Sequence, residues 1–573
     1  MDQGMGASST QRGFPYSPLE DTDIRVLRVK PGADEKVICY LHHATLDDSL
    51  YYDALSYVWG DASTRREITV NGLSFLVTEN LYTALKRLRS IPPEGDCAFA
   101  FFWIDAICIN QDDAVEKSRQ VPQMNRIYTN AFRVFVWIPP TELRHNAELA
   151  AATQTVRDLF RVDKARWWEE QLAKKNQVTM SLEEFVAWQP IFHQVTLFEW
   201  HSWFSRIWTL QESVLANNSP IFLFEDDDAR EGIYEPFTLD SFYEKIDRLR
   251  ASTTANMMLL RKWVRNPDLL AKMSTDNPGY MLLMILRRSE LKGMTEPQDR
   301  LYGIYGILQA VSSHFSASSL PRVDYTLPAY MVFGQFARFI IETTGSACLL
   351  DCALLSFRVL QGPTWVSMFH YMPKAYLKTT PKDPLQRPRV SADGSILTIK
   401  GVIKDQCVVL VRQPKYRQFE LHDHVYVQEA INHIMEIESK VVQPVVSQQS
   451  LAPDDVRRAL FPFISTSEAY EHYRLRGNEP FPYDLLITAE SAAWGLTEVK
   501  STIFVTRQGH FGRCQRLGPC DVGDYICLRT HGAPLILRNR PGSELYEVIG
   551  HVDACQETLK DRSGREFEDV HLV

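Results

Sequence analysis

The stretch that decides the fold is Tyr52-Asp53-Ala54-Leu55-Ser56-Tyr57-Val58-Trp59-Gly60-Asp61. Residues 54–58 are almost continuously apolar instead of alternating, which is the pattern of a strand buried on both faces. Residues 98–104 and 133–138 repeat that pattern. Helical spacing fills the gaps between the three runs. Leu81, Ala84, Leu85 and Leu88 follow Thr78, a suitable N-cap, and Val121, Met124, Ile127, Tyr128 and Ala131 follow in the second gap. Pro122 marks the start or a kink of that second helix. Strand, helix, strand, helix, strand predicts a doubly wound, flavodoxin-like parallel sheet.

Working outward, residues 24–41 alternate around Pro31-Gly32 and predict a hairpin, and residues 1–20 read as a disordered tail. Pro139-Pro140 ends the third strand and opens a Trp-rich helical insertion at about 139–203. A helix then starts near Ile207 and carries Trp208, Leu210, Gln211, Glu212 and Leu215. Further helices are expected at 280–291, 300–308 and 329–342. From 396 onward the pattern turns to short β runs (396–399, 407–411) around a helix at 424–437, with a polar linker near 443–454. Glycines punctuate 503–552 and predict a small antiparallel sheet or barrel. The expected division is an α/β domain over 21–310, a helical and loop connector over 311–395, and a β-rich domain over 396–573. No internal repeat is visible.

A chain of 573 residues is too long for one hydrophobic core. Its net charge of -9 comes without a basic stripe, which argues against nucleic acid as a partner. No apolar run reaches the ~18 residues that cross a bilayer. Residues 1–13 lack the cationic start and apolar stretch of a secretory leader. The ten cysteines are scattered, so reduced thiols and a cytoplasmic location are expected.

In an open parallel sheet, ligands bind beyond the carboxyl ends of the strands. That rule selects two loops, Ser56-Tyr57-Val58-Trp59-Gly60-Asp61 and Asp105-Ala106-Ile107-Cys108-Ile109-Asn110-Gln111-Asp112. Both hold more polar and aromatic side chains than a plain connection requires. The plainer alternative makes Trp59 and Trp103 core aromatics and Asp105 a helix cap.

These residues carry a family resemblance. Residues 52–60 resemble the opening motif of the HET (heterokaryon incompatibility) domain of filamentous fungi, and Phe102-Trp103-Ile104-Asp105-Ala106-Ile107-Cys108-Ile109-Asn110-Gln111 resembles its second motif. Arg206-Ile207-Trp208-Thr209-Leu210-Gln211-Glu212 looks like its third. Asp299-Arg300-Leu301-Tyr302-Gly303 and Pro363-Thr364-Trp365-Val366 resemble features found downstream. The resemblance implies a trigger of programmed cell death in non-self recognition, acting through self-association or partner signalling proteins. It also implies a distant likeness to TIR domains, in which Trp and Glu stand four apart and the glutamate is catalytic in those that hydrolyse NAD. Thr209 stands where TIR domains usually have Cys, and the insertion at 139–203 has no TIR counterpart.

Carried onto this chain, the likeness makes Glu212 the catalytic residue. Ser56, Tyr57, Trp59, Gly60, Asp105, Asn110, Arg206 and Trp208 become substrate-binding residues, with NAD as substrate and neither metal nor resident cofactor. Residue chemistry is compatible with that role. Trp208 and Glu212 are i, i+4 on one helical face. A carboxylate stabilises the oxocarbenium-like ribose left when nicotinamide departs, and aromatic rings stack on the bases. Alternatively, Glu212 is a cap or salt-bridge residue and the surface recruits partner domains without turnover. Cys108 as a nucleophile, His42-His43 as metal ligands and Glu225-Asp226-Asp227-Asp228 as a cation site are weaker alternatives, read as a buried inert thiol, a strand pair and a solvated loop. The chain has no Walker loop, HExxH or GxSxG.

Overall fold

The computed structural model describes residues 14–32, 36–47, 49–91, 100–160, 193–225, 237–246, 252–266, 278–289, 292–312, 320–347, 349–352, 363–366, 384–412, 501–516, 520–530, 532–555 and 565–573, with a few single positions between them. The expected helix at 424–437, nearly all of the linker at 443–454, the acidic residues 226–228 and residues 161–192 of the insertion lie outside the described residues. The chain forms two compact units. One comprises Met1–Thr275, Leu291–Phe315 and Leu320–Pro328, and the other comprises Asp276–Glu290, Ser316–Ser319 and Ala329–Val573.

The first unit is built on an eight-stranded mixed sheet in the order β5-β4-β2-β1-β6-β3-β7-β8. Its strands are β1 (Asp23–Val29), β2 (Ile38–Thr45), β3 (Asp53–Ser56), β4 (Arg65–Val70), β5 (Leu73–Thr78), β6 (Phe101–Trp103), β7 (Val134–Trp137) and β8 (Ile221–Leu223). The three continuous apolar runs become β3, β6 and β7, which lie side by side and parallel, with β8 added parallel at the edge. β3 and β7 are buried at every position, which explains their unbroken apolar character. The order β6-β3-β7-β8 is that of the second, first, third and fourth strands of a doubly wound sheet, whose switch point lies beside the first strand. The expected hairpin is β1–β2, joined antiparallel to this core through β1 and β6.

Two features depart from the expectations. The first is the β4–β5 hairpin, inserted between β3 and helix α1 (Glu79–Leu88), which the apolar runs did not mark as part of the sheet. Thr78 ends β5 and caps α1 by accepting from the Leu81 amide, as its type and position foretold. The second is the tail. Residues 14–20, expected to be disordered, pack on the unit: Phe14 meets Phe75 edge-on at 5.1 Å and the Tyr16 hydroxyl donates to the Ile107 carbonyl at 3.0 Å. Aromatic side chains outweigh the polar composition that suggested disorder there.

Between β6 and β7 run α2 (Asp105–Cys108), α3 (Ala114–Gln120) and α4 (Met124–Asn130). Pro122 sits in a 3-10 turn, Val121–Gln123, joining the last two. Arg25 of β1 is 1% exposed and pairs bidentately with Glu116 of α3 at 2.6 and 3.0 Å. It also donates to the Cys108 and Ser17 carbonyls at 2.9 and 2.7 Å, tying strand, helix and N-terminal segment together.

The insertion contributes α5 (Pro140–His145) and α6 (Ala147–Phe160), followed by α7 (Ser202–Ser205) and α8 (Ile207–Leu215). α8 is buried at all positions except Trp208, as a helix apolar nearly all round must be. Its carboxyl end is held by Arg261, 2% exposed, donating to the carbonyls of Ser213, Ala216 and Asn218 at 2.7 Å each. A cation there also opposes the helix dipole.

In the second unit, the helices Pro278–Arg288 and Ala329–Thr344 pack together. The β-rich segment comprises β9 (Arg389–Val390), β10 (Leu397–Arg412), β11 (Ser501–Thr506), β12 (Phe511–Arg516), β13 (Tyr525–Arg529), β14 (Leu535–Asn539), β15 (Leu545–Cys555) and β16 (Glu568–Leu572). Antiparallel pairings run β10–β11–β12–β15–β14–β13 and back to β10, closing a barrel. The two short runs expected at 396–399 and 407–411 are one long strand. Bulges between Ile403/Asp405 and Cys407/Val409 break its apolar pattern. It changes partner at Gly401, where a Cβ would lie 2.7 Å from Cys527 Sγ.

Removing Glu116 leaves Arg25 as an unpaired buried cation, which costs about 3–5 kcal/mol. Glu116→Ala is therefore expected to lower the melting temperature of the first unit sharply, measured by calorimetry, whereas the exposed pair Arg338–Glu342, when broken, should shift melting by an amount within error.

Candidate active site

The carboxyl end of β3 is where the site assembles. Ser56, its last residue, is fully buried, and its hydroxyl donates to Glu212 Oε2 at 2.5 Å. The same Ser56 oxygen accepts from the Trp203 indole at 2.8 Å. Glu212 projects from α8, is 3% exposed and is also hydrogen-bonded by Tyr128 of α4. Strand, bundle helix and insertion thus converge on one carboxyl group.

A second carboxyl stands beside the first. Asp105 opens α2 directly beyond β6. Its Oδ2 accepts from the Trp59 indole at 2.9 Å, its Oδ1 accepts from the Ala106 amide at 2.7 Å, and Tyr57 is hydrogen-bonded to it. Burial pushes the Glu212 carboxyl up to about 8, and the neighbouring Asp105 charge adds to this, against the lowering effect of Ser56, Arg206 and Tyr128. Asp105 is also raised, again by burial, with Arg206 and its hydrogen-bond donors opposing. The Tyr57 hydroxyl is driven well above 10 by burial and by Asp105. Two adjacent carboxyls with unlike surroundings are the usual raw material of acid–base division of labour.

Arg206 is the cation of the cluster. It precedes α8, where a backbone pairing with Gly293 fixes the chain: the Ile207 amide donates to the Gly293 carbonyl at 3.0 Å and the Gly293 amide to Ser205 at 2.6 Å. Its Nη1 donates to the Tyr57 carbonyl at 3.0 Å, and its guanidinium lies 5.4 Å from the Trp59 ring centre. Thr209 turns its hydroxyl back to the Trp203 and Arg206 carbonyls at 2.6 and 2.8 Å, so it shapes the start of α8.

Of the residues singled out in the sequence, Ser56, Tyr57, Trp59, Asp105, Arg206 and Glu212 meet. Gly60 supports them: its φ of +78° needs glycine, and a Cβ would stand 3.2 Å from Asn80. Asn80 in turn binds the Val58 carbonyl and accepts from the Trp137 indole at 2.9 Å, linking the ends of β3 and β7. Trp208 shares the helix but not the network. Its indole donates to Asp299 at 3.0 Å, and Asp299 also accepts from Tyr325 at 2.8 Å. Asn110 joins the Arg25–Glu116 network through its backbone amide, which donates to Glu116 at 2.7 Å.

Trp203 and Tyr128 escaped the sequence reading. Tyr128 counted only as a helical core position, and Trp203 fell inside an insertion that had no assigned role. Its neighbour His201 explains its placement: His201 hydrogen-bonds Glu142 and Thr153 at 2.8 Å each, pinning the insertion to α7. Cys108 is a buried thiol pushed up to about 12 by burial, accepting from the Ile104 amide. His42 and His43 are both exposed. Among the described residues, no His/Cys/Asp/Glu group is arranged to hold a metal ion, and no helix is long and apolar enough to cross a membrane.

Residues 52–212 match the family Heterokaryon incompatibility protein (HET). That span begins with β3 and ends on Glu212 itself. A relative, "Heterokaryon incompatibility protein 6, OR allele" of Neurospora crassa, is 30% identical over 217 residues, covering 34% of this chain and 32% of the relative. The chain therefore spans about a third of the length of the curated relative it matches. No solved structure matches the chain significantly.

Because folding raises the Glu212 pKa from 4.5 to about 8, the folded state holds a proton that the unfolded chain releases between those values. The resulting stabilisation is complete below about 4.5 and is lost as pH rises through about 8, at up to about 1.4 kcal/mol per pH unit. Glu212→Gln keeps the shape without the ionisation. The variant's melting temperature relative to wild type should thus climb steadily from pH 5 to pH 8; a constant difference across that range contradicts the shifted carboxyl.

Proposed function

We propose that this HET domain is a TIR-like effector that cleaves the N-glycosidic bond of NAD, with Glu212 as the catalytic carboxylate. The observation that carries the proposal is the placement of Glu212: a buried carboxyl at the carboxyl end of β3, hydrogen-bonded to Ser56, with Asp105 adjacent. The nicotinamide ring of NAD is a cation. Two carboxyls set against the guanidinium of Arg206 are the charge arrangement that favours such a ring. Its arrival shifts Glu212 toward the ionised form.

The bond between ribose C1′ and the ring nitrogen then breaks, its electron pair leaving with neutral nicotinamide. The cation left on C1′ is stabilised by the Glu212 carboxylate until water adds there and releases a proton. Tyr57 and Trp59 supply aromatic faces, and Ser56 aligns the carboxylate. The biological setting of the proposal is cytoplasmic, triggered cell death in heterokaryon incompatibility, with self-association as the switch.

One observation favours a second reading. Glu212 is 3% exposed and Ser56 is fully buried, so in this conformation the carboxyl serves the packing of the domain. On that reading the domain is a non-enzymatic module that recruits partner signalling proteins.

Nicotinamide release by concentrated full-length protein separates the two. Wild type should release nicotinamide and Glu212→Gln should be slower by roughly a hundredfold or more. Equal rates in the two proteins overturn the catalytic assignment, and a wild type that consumes no NAD favours the recruiting module.

A further inference from the structure

The matched HET span ends on Glu212, yet the helix that carries Glu212 is held from outside that span. Residues 293–306 meet α8 at successive positions. The Gly293 backbone pairs with Ser205 and Ile207. Gly303 lies so close to Ile207 that a Cβ would stand 2.8 Å from its Cγ1. The Gly306 amide donates to Gln211 Oε1 at 2.7 Å, and a Cβ there would stand 2.8 Å from the same oxygen. Asp299, which opens the short helix Asp299–Tyr302, takes the position in between, Trp208.

Asp299 is 8% exposed and both of its oxygens are occupied. Oδ2 accepts from the Trp208 indole at 3.0 Å and Oδ1 from the Tyr325 hydroxyl at 2.8 Å. Tyr325 is fixed in turn. Its amide donates to Ser118 Oγ of α3 at 2.9 Å, its ring lies 5.0 Å from that of Tyr302, and the Lys117 ammonium stands 4.4 Å from its centre. Burial raises the Asp299 carboxyl, against the opposing effect of Tyr325, Trp208, Lys117 and Arg206. A buried carboxyl is costly to keep. The indole does not require one: Trp208 is the one residue of α8 that is not buried, and water can satisfy an exposed N–H.

We propose that Asp299 is a positioning residue for the Glu212 site, locking the rotamer of Trp208 so that its ring is a fixed aromatic wall for the substrate. The inference deepens the NAD reading given above and rests on it for the identity of that substrate. The lock and the carboxyl pair share one cation, since Arg206, two residues before Trp208, acts on Asp299, Asp105 and Glu212 alike. Trp59 is held in the same manner. It too is half-buried and donates its indole to a buried carboxyl, that of Asp105, while its ring faces Arg206. A ring free to turn loses that freedom when a ligand binds, and a locked ring does not. The lock therefore acts on substrate binding more than on bond cleavage.

The test compares full-length wild type, Asp299→Asn, Tyr325→Phe, Trp208→Phe and Trp208→Phe/Asp299→Asn, with circular dichroism confirming that each is folded. The Trp208 indole ¹⁵N–¹H resonance, assigned by its loss in Trp208→Phe, should shift in Asp299→Asn and shift less in Tyr325→Phe. In nicotinamide release, Asp299→Asn should raise KM for NAD roughly fivefold with kcat nearly unchanged. Added to Trp208→Phe, it should change KM no further, because both substitutions break one lock. If Asp299→Asn does not fold, Tyr325→Phe, which leaves the carboxyl and the indole in place, carries the same KM test. An indole resonance that stays in place, a KM that does not move, or effects of the two substitutions that add each overturn the lock, and the last two leave NAD cleavage standing. Wild type that releases no nicotinamide refutes the hydrolase, while a shifted indole resonance still upholds Asp299 as the residue that holds Trp208.

Discussion

The first unit depends on how one carboxyl group is buried. A carboxyl inside an apolar helix is tolerated only when hydrogen-bonded, and it neutralises when it cannot find enough charge to oppose it. Here Ser56 and Tyr128 supply the hydrogen bonds, and Trp203 fixes the serine. These groups come from the end of β3, from α4 between β6 and β7, and from the end of the insertion. Holding Glu212 therefore requires the whole α/β unit to be in register, and anything that separates β3 from α8 unmakes the site.

Around that group the domain spends its aromatic residues in two ways. Trp203 joins Phe198, Phe204, Phe222, Phe237 and Phe242 in a dense edge-to-face cluster under the helix, which is packing. Trp59 instead donates its indole N–H to Asp105 and turns its ring face to Arg206, and Tyr57 is hydrogen-bonded to Asp105. The HET match stops at Glu212, so it spans from the strand carrying Ser56 to the carboxyl that Ser56 holds. Arg206 stands with Asp105 and Glu212, two carboxyls that burial raises above their ordinary range.

Much of this was legible in the residues. Continuous apolar runs at β3, β6 and β7 announced strands covered on both faces, and the carboxyl-end rule pointed from them to Ser56, Asp105 and their aromatic neighbours. Thr78 and Pro122 marked helix boundaries by local chemistry alone. What stayed hidden depends on distance in space. Nothing local tells that Trp208 turns to Asp299 while Glu212, one turn on, turns to Ser56. Asn110 sits in the same loop as Asp105, but its backbone amide is bonded to Glu116 and its side-chain oxygen accepts from the Asp112 amide. The β4–β5 hairpin was missed because edge strands alternate weakly: Leu73 and Leu76 face solvent where a buried pattern would have been plain. The barrel was legible only as a class, since closure is a matter of which strands pair and not of any one segment.

The central claim is that Glu212 rests as a protonated acid and yields its proton when a cation enters beside it. Side-chain carboxyl ¹³C NMR of glutamate-labelled protein, assigned by difference against Glu212→Gln, measures this directly. The account predicts a resonance titrating near 8 in the empty protein that moves to lower pH when a hydrolysis-resistant carbocyclic NAD analogue is added. A resonance that titrates near 4.5, or one that ignores the analogue, would contradict it.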